Sequence, residues 1–115
     1  MPHRKFRRIQ FETKAMVSVL HQTFEAHTEN LSVNGLYIRT EQRLPVGNQA
    51  EIMLRIPSAS SNPSFTAQVK VVRSDVHGIA FQFRSLDHDS FSRLQTVINN
   101  KSANRLKEYH YARHH

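Results

Sequence analysis

The chain has 115 residues, 38% of them hydrophobic, which is enough for one modest hydrophobic core but not for two ordinary domains. Its 16 Lys and Arg against 9 Asp and Glu give a formal net charge of +7, which favours anionic partners such as nucleotides, nucleic acid or acidic surfaces. The sequence has no cysteine, which excludes disulfides and thiolate chemistry, and no apolar run of membrane-spanning length, so we expect a soluble cytoplasmic protein.

The first twelve residues are basic, and Phe6, Ile9 and Phe11 are their apolar anchors. Charges and apolar side chains do not alternate regularly here. This composition predicts an arginine-rich flexible arm over residues 1–12 that leads into the fold without contributing a core strand.

Residues 13–86 alternate apolar and polar side chains in short runs, which is the pattern of half-buried β-strands. Six such runs are separated by turn residues, and the first two are close enough to pair as a hairpin. They cover residues 13–21, 22–28, 36–39, 50–56, 65–71 and 79–83. The pattern predicts a six-stranded antiparallel β-barrel.

After Leu86 the apolar spacing becomes helical, through Phe91, Leu94, Val97 and Ile98. Asp87 is a suitable N-cap, so we predict a C-terminal helix over residues 87–115. Its weak point is the Asn99–Ser102 stretch of poor helix formers, where we expect a break. The fold class is therefore all-β with one C-terminal helix, whose apolar face covers either its own barrel or that of another subunit.

The arm carries a cluster of four cations within five residues, Arg4, Lys5, Arg7 and Arg8. The planar arginine fork donates paired hydrogen bonds to phosphate or to the acceptor edge of guanine. The ordinary alternative is a solvated basic tail.

A second polar cluster lies in the segment from Asn30 to Gly35. In an extended chain Asn30 and Ser32 point the same way, and both can hydrogen-bond a base edge or a phosphate. Asn34–Gly35 suits positive backbone dihedrals, and Gly35 would let the chain turn sharply and bring backbone amides close to a ligand. The ordinary alternative is a polar turn with no ligand.

Taken together, the two clusters make the chain resemble the PilZ domain family of cyclic di-GMP receptors. Arg4 and Arg8 fit the family's RxxxR motif, and Asn30, Ser32 and Gly35 fit its [D/N]xSxxG motif. The resemblance extends over nearly the whole chain, because the family also has a six-stranded split barrel followed by a helix.

The resemblance implies a receptor whose ligand is cyclic di-GMP and which needs no cofactor. It implies that Arg4 and Arg8 wrap over the ligand while Asn30 and Ser32 hold it from the barrel surface. Gly35 would shape the turn, and the charges of Lys5 and Arg7 would steer the dianionic ligand. Binding would order the arm and change contacts with a downstream protein, and the usual outputs of the family are motility, exopolysaccharide production and biofilm formation. One ligand molecule and a stacked pair both fit this pattern.

Other functions have weaker support in the residues. No catalytic motif is present, and the histidines have no tight metal-ligand spacing other than that of His110 and His114, which have no carboxylate triad nearby, so we predict neither an enzyme nor a metal site. A small basic barrel that binds single-stranded nucleic acid is the main alternative, with Tyr37 and Phe65 as exposed stacking residues. A PilZ-like protein adaptor without a ligand is a further alternative.

Overall fold

A computed structural model describes residues 8–56 and 64–113, with side chains described up to residue 100. These residues form seven strands and one helix. In chain order they are β1 (Ile9–Gln10), β2 (Lys14–Val19), β3 (Gln22–Leu31), β4 (Gly35–Arg39), β5 (Gln49–Arg55), β6 (Ser64–Ser74), β7 (Gly78–Ser85) and α1 (His88–Arg113). In this part of the chain, no helix is both long and apolar enough to cross a lipid bilayer.

Six of the strands close into an antiparallel barrel. The order around it is β3, β2, β5, β6, β7 and β4, and β4 pairs with β3 to complete the ring. The predicted hairpin of the first two runs is present, because Val19 of β2 pairs with Gln22 of β3 at the turn. The predicted fold class, a six-stranded barrel with one C-terminal helix, is confirmed.

The seventh strand, β1, lies on the edge of β3 that β2 leaves uncovered. Ile9 pairs with Leu31 and Gln10 with Asn30. Ile9 and Phe11 are both buried in the core, because side chains two apart in an extended chain point to the same face. Residues 9–12 therefore belong to the folded body, and the sequence prediction of an arm that extends to residue 12 set this boundary too late.

The core fills the inside of the barrel with the alternate residues of each strand. The pattern is most regular in β5 and β6, where Ile52, Leu54, Phe65, Val69 and Val71 are almost completely buried. Burying a large aliphatic or aromatic side chain contributes about 1.5–3 kcal/mol relative to leaving it exposed. The period-two pattern read from the sequence is thus the pattern of burial.

Helix α1 begins at the predicted cap. The carboxylate of Asp87 accepts the backbone N–H of Ser90 at 2.7 Å, as an N-cap does. Leu94, Val97 and Ile98 are buried, and the helix contacts β1. Phe91, which the sequence placed on the same face, is 38% exposed.

The predicted break in this helix does not occur. Helix α1 continues through the Asn99–Ser102 stretch to Arg113. The difference in helix propensity between these residues and good helix formers is only a few tenths of a kcal/mol each, which is too little to end a helix.

Two glycines are required where β4 and β7 approach closely. A Cβ added to Gly35 would lie 2.0 Å from the carbonyl oxygen of Phe81, and one added to Gly78 would lie 1.9 Å from that of Ile38. The expectation that Gly35 provides a positive backbone dihedral is wrong, since among the described residues only Gly47 has a positive φ. Gly35 is needed because a neighbouring backbone occupies the space of its side chain.

We expect Gly35→Ala to lower the free energy of unfolding by about 1–3 kcal/mol, because the added methyl forces β4 and β7 apart. Urea unfolding followed by circular dichroism measures this. The control is Gln82→Ala, at the exposed residue that pairs with Gly35 on β7, and its effect should stay within about 0.5 kcal/mol. Equal stability of Gly35→Ala and the wild type would contradict the packing argument.

Candidate functional site

The site is organised by a bulge in β3. Phe24, Ala26 and Thr28 are buried at every second position, but the next buried side chain is Leu31, three residues on. The pairing with β4 shifts by one residue between Thr28 and Asn30. A bulge reverses which face a residue occupies, so Asn30 lies on the outer surface of the barrel while Leu31 enters the core.

Strand β1 brings the end of the basic cluster to this position. Gln10 pairs with Asn30, and Arg8 lies two residues before it. The Arg8 guanidinium donates a hydrogen bond from Nη1 to Asn30 Oδ1 at 2.9 Å. The structure therefore joins one residue of the RxxxR pattern to one residue of the [D/N]xSxxG pattern, although 22 positions separate them.

Ser32 occupies the turn between β3 and β4, and its side chain is buried. Its hydroxyl oxygen accepts the backbone N–H of Asn34 at 3.1 Å and that of Gly35 at 3.2 Å. The Ser32 N–H in turn donates to the carbonyl of Gly35 at 2.9 Å. In this tight turn the Ser32 hydroxyl is the hydrogen-bond acceptor for the backbone N–H groups of Asn34 and Gly35, in place of a carbonyl on a neighbouring strand. Ser32 thereby fixes the shape of residues 32–35.

The remaining predicted residues, Arg4, Lys5 and Arg7, lie outside the described residues. The structure therefore places four of the seven predicted site residues: Arg8, Asn30, Ser32 and Gly35. Arg8 directly precedes β1, Asn30 lies near the end of β3, Ser32 lies in the turn between β3 and β4, and Gly35 is the first residue of β4.

A row of outward-facing residues extends from Asn30 across three further strands. Asn30 pairs with Tyr37 of β4, Tyr37 with Ala80 of β7, and Ala80 with Arg73 of β6. The small Ala80 lies between Tyr37 and Arg73 in this row. The row therefore has polar side chains at both ends, Asn30 on β3 and Arg73 on β6.

Tyr37, Asp75 and Arg73 form a hydrogen-bonded cluster at the far end of this row. The Tyr37 hydroxyl donates to Asp75 Oδ1 at 3.0 Å, and Arg73 Nε lies 3.5 Å from Asp75 Oδ2. The Arg73 guanidinium carbon also lies 5.4 Å from the centroid of the Tyr37 ring, within cation–π range. The cluster fixes a guanidinium group over an aromatic ring.

The electrostatics of the cluster follow from these contacts. The backbone hydrogen bond from His77, together with those from the Tyr37 hydroxyl and the Gly78 N–H, holds the pKa of Asp75 below its usual value. Burial raises the pKa of Tyr37, and the hydrogen bond to Asp75 raises it further. Asp75 therefore stays ionised next to Arg73, and Tyr37 stays a neutral donor.

Sequence reasoning missed Arg73 and Asp75, and it expected Tyr37 to be exposed. Tyr37 is in fact 8% exposed and Phe65 only 1%. Tyr37 is covered although it faces outward, and Phe65 points into the core, where it packs edge-on against Phe83. Neither ring is available to stack on the bases of a single-stranded nucleic acid. The missed residues left no signal because their proximity depends on strand register.

The described residues contain no group of three His, Asp or Glu side chains close enough to hold a metal ion. They do contain a cleft between β6 and the start of α1, lined by Gln68, Leu86, Asp87 and Ser90 among others. None of the predicted site residues lines it. The candidate site is the outer face of β3, β4, β7 and β6, where Arg8 contacts Asn30.

Comparison with known proteins identifies related folds. A family profile described as the PilZ domain matches residues 2–100. No protein with a curated description matches the sequence. The chain is similar to the Bacillus subtilis inhibitor of motility MotI/DgrA, with a TM-score of 0.79 at 12% identity, over 90% of this chain and 53% of that one. It thus spans about half the length of that protein.

Two other similar structures are described as holding c-di-GMP. The PilZ domain of YcgR from Escherichia coli has a TM-score of 0.70 at 14% identity, over 94% of this chain and 98% of that domain. The MrkH complex from K. pneumonia has a TM-score of 0.70 at 14% identity, over 94% of this chain and 56% of that one. At these identities the likeness establishes a shared fold.

The Asp75 cluster predicts a specific dependence of stability on pH. Because the pKa of Asp75 is lower in the folded than in the unfolded chain, its ionisation stabilises the fold above the ordinary value of 3.8. That contribution is lost as the pH falls through the lowered folded pKa. Asp75→Asn lacks this ionisation, so the stability advantage of the wild type over the variant should shrink below about pH 4.

Urea unfolding of both proteins between pH 7 and pH 2.5 measures this difference. The same series on Tyr37→Phe, which removes one donor to Asp75, should show a smaller acid-dependent loss. A constant difference between wild type and Asp75→Asn over the whole range would contradict the interpretation.

Proposed function

Since this chain belongs to the PilZ domain family, we propose that it is a receptor for cyclic di-GMP and works by binding, without catalysing a reaction. The observation that carries the proposal is the hydrogen bond from Arg8 to Asn30, because it joins one residue of the RxxxR pattern to one residue of the [D/N]xSxxG pattern. The c-di-GMP named with the related YcgR and MrkH structures supports the choice of ligand.

Arg8 and Asn30 supply complementary groups for a guanine dinucleotide. The Arg8 fork can donate two parallel hydrogen bonds to a phosphate or to O6 and N7 of guanine. The Asn30 amide offers both a donor and an acceptor, which suits the mixed edge of a base. Ser32 contributes by fixing the turn that follows Asn30, since its hydroxyl already accepts two backbone N–H groups.

In this proposal the rest of the basic cluster completes the site from the arm. Arg4 provides the second guanidinium of the motif, and Lys5 and Arg7 add positive charge that attracts a ligand with two phosphates. The formal net charge of +7 favours such an encounter over the whole molecule. Charge-assisted hydrogen bonds then offset the entropy lost when the arm closes over the ligand.

The outer row extends the proposed site beyond the two motifs. Arg73 is held over the Tyr37 ring, on the same row as Asn30, with Tyr37 and Ala80 between them. A flat base or a phosphate on this surface would meet a guanidinium group at each side. We therefore include Arg73 as a ligand-contacting residue and Tyr37 as its support.

The proposed consequence of binding is a change in the surface that the chain offers to a partner. Closure of the arm over the outer face buries polar groups and displays the ligand and the arm together. The related MotI protein is described as an inhibitor of motility. Regulation of motility or biofilm formation through a protein partner is accordingly the output that we propose.

Titration of the protein with cyclic di-GMP by calorimetry tests the function. We expect saturable binding with a dissociation constant of about 1 µM or below, which corresponds to roughly 8 kcal/mol. Cyclic di-AMP, which has a different base, and GTP, which has a different arrangement of phosphates, serve as comparison ligands. Both should bind much more weakly. The same titration gives the stoichiometry, which distinguishes one molecule from a stacked pair. No saturable heat with cyclic di-GMP, or equal affinity for cyclic di-AMP, would refute the proposal.

Arg8→Ala should weaken cyclic di-GMP binding about 10- to 150-fold, because a charge-assisted hydrogen bond contributes roughly 1.5–3 kcal/mol. The matched control is Arg55→Ala, which removes the same charge from an exposed position on β5, a strand separated from β3 by β2. The control should bind within about twofold of wild type. Equal losses in the two variants would mean that Arg8 acts only through net charge.

Arg73→Ala should weaken binding about 3- to 10-fold, a loss of roughly 0.6–1.4 kcal/mol, because it removes a guanidinium and leaves Asp75 to repel the ligand. Arg73→Lys keeps the charge but loses the planar fork and the favourable stacking on Tyr37. Calorimetry on both variants separates these contributions. Wild-type affinity in Arg73→Ala would remove this residue from the site.

A further inference from the structure

Thr28, a polar side chain with 0% exposure, holds the segment that joins β1 to β2, residues 11–13. Its hydroxyl oxygen accepts the backbone N–H of Thr13 at 2.9 Å and donates to the carbonyl oxygen of Phe11 at 2.5 Å. The Thr28 N–H also donates to the Thr13 carbonyl at 2.9 Å. One side chain therefore bonds the chain on both sides of residue 12.

This contact lies where the strand ladder is mismatched. The pairing of β2 with β3 begins at Lys14 and His27, and that of β1 with β3 ends at Gln10 and Asn30. Between these pairs the segment that joins β1 to β2 has three residues, 11–13, whereas β3 has only two, 28–29. A regular ladder cannot pair unequal numbers of residues, so some backbone groups need another partner.

A hydroxyl group suits this mismatch because it donates one hydrogen bond and accepts others at the same atom. The Thr28 hydroxyl accepts a hydrogen bond from the Thr13 N–H and donates one to the Phe11 carbonyl. The Phe11 N–H donates to the Glu29 carbonyl at 3.1 Å. With these groups satisfied, the chain resumes pairing as β1. Arg8 then lies within hydrogen-bond distance of Asn30.

We propose that Thr28 is a positioning residue for the ligand site. It does not contact the ligand, but it fixes the segment that joins β1 to β2 and so places Arg8, which directly precedes β1, beside Asn30. This inference rests on the proposed function, since it concerns how the same site is assembled. It differs from a purely structural role of Thr28 because it predicts an effect on affinity that depends on Arg8.

The test uses Thr28→Val, which keeps the shape of the side chain and removes the hydroxyl. We expect cyclic di-GMP affinity to fall about tenfold, because Arg8 is no longer held beside Asn30. Thr28→Ser, which keeps the hydroxyl and removes only the methyl group, should bind within about twofold of wild type. Ile52→Val, a conservative change at a buried position on β5, controls for a general loss of stability and should leave affinity unchanged.

A double-mutant cycle separates positioning from a general effect. In an Arg8→Ala background, Thr28→Val should cause no further loss of affinity in an NMR titration, because the group that Thr28 positions is absent. A loss of the same factor in both backgrounds, or wild-type affinity of Thr28→Val, would overturn the proposal. If Thr28→Val does not fold, Thr28→Cys replaces it, since the thiol is a much weaker hydrogen-bonding group.

Failure of the proposed function is recognisable separately. If wild-type protein does not bind cyclic di-GMP, amide hydrogen exchange still reports on whether the segment that joins β1 to β2 is held against β3. The Phe11 amide, which donates to the Glu29 carbonyl at 3.1 Å, should then exchange faster in Thr28→Val than in Ile52→Val at equal global stability. Equal exchange of the Phe11 amide in the two variants would show that Thr28 does not hold the segment that joins β1 to β2.

Discussion

The arrangement of this molecule depends on the pairing of β3 with three other strands. Its first part pairs with β2, its last residues pair with β1, and its other edge pairs with β4 to close the barrel. Because the register shifts by one residue between Thr28 and Asn30, the Leu31 side chain packs in the core and the Asn30 side chain lies on the outer surface. Without this shift the alternation of the strand would bury Asn30 and expose Leu31.

The outer face of the barrel combines positive charge with fixed geometry. Arg8 is joined to Asn30 at one side, and Arg73 is held over Tyr37 and next to Asp75 at the other. Asp75 keeps Arg73 in place but also lowers the local positive potential that a dianionic ligand would meet. The surface therefore balances orientation of a guanidinium group against electrostatic attraction, and a ligand gains most from groups that are already oriented.

The barrel is common to proteins that differ from this chain at more than four in five positions. This tolerance is expected, because a core of aliphatic and aromatic residues accepts many substitutions if volume and pattern are kept. The turn from Ser32 to Gly35 is constrained more strongly. Ser32 supplies hydrogen bonds that the backbone lacks, and Gly35 is the only residue that fits beside the Phe81 carbonyl. Such constraints explain how a short motif can be recognised where overall identity is low.

The sequence alone determined the barrel, the helix and its cap at Asp87, because period-two and helical patterns of burial are local properties of the chain. It also indicated Arg8, Asn30, Ser32 and Gly35, whose spacing resembles a known motif. Only the tertiary structure showed that β1 belongs to the fold, that Tyr37 is buried, and that Arg73 shares a row with Asn30. These features depend on register between strands distant in sequence, and a shift of one residue, as at Thr28, changes every contact beyond it.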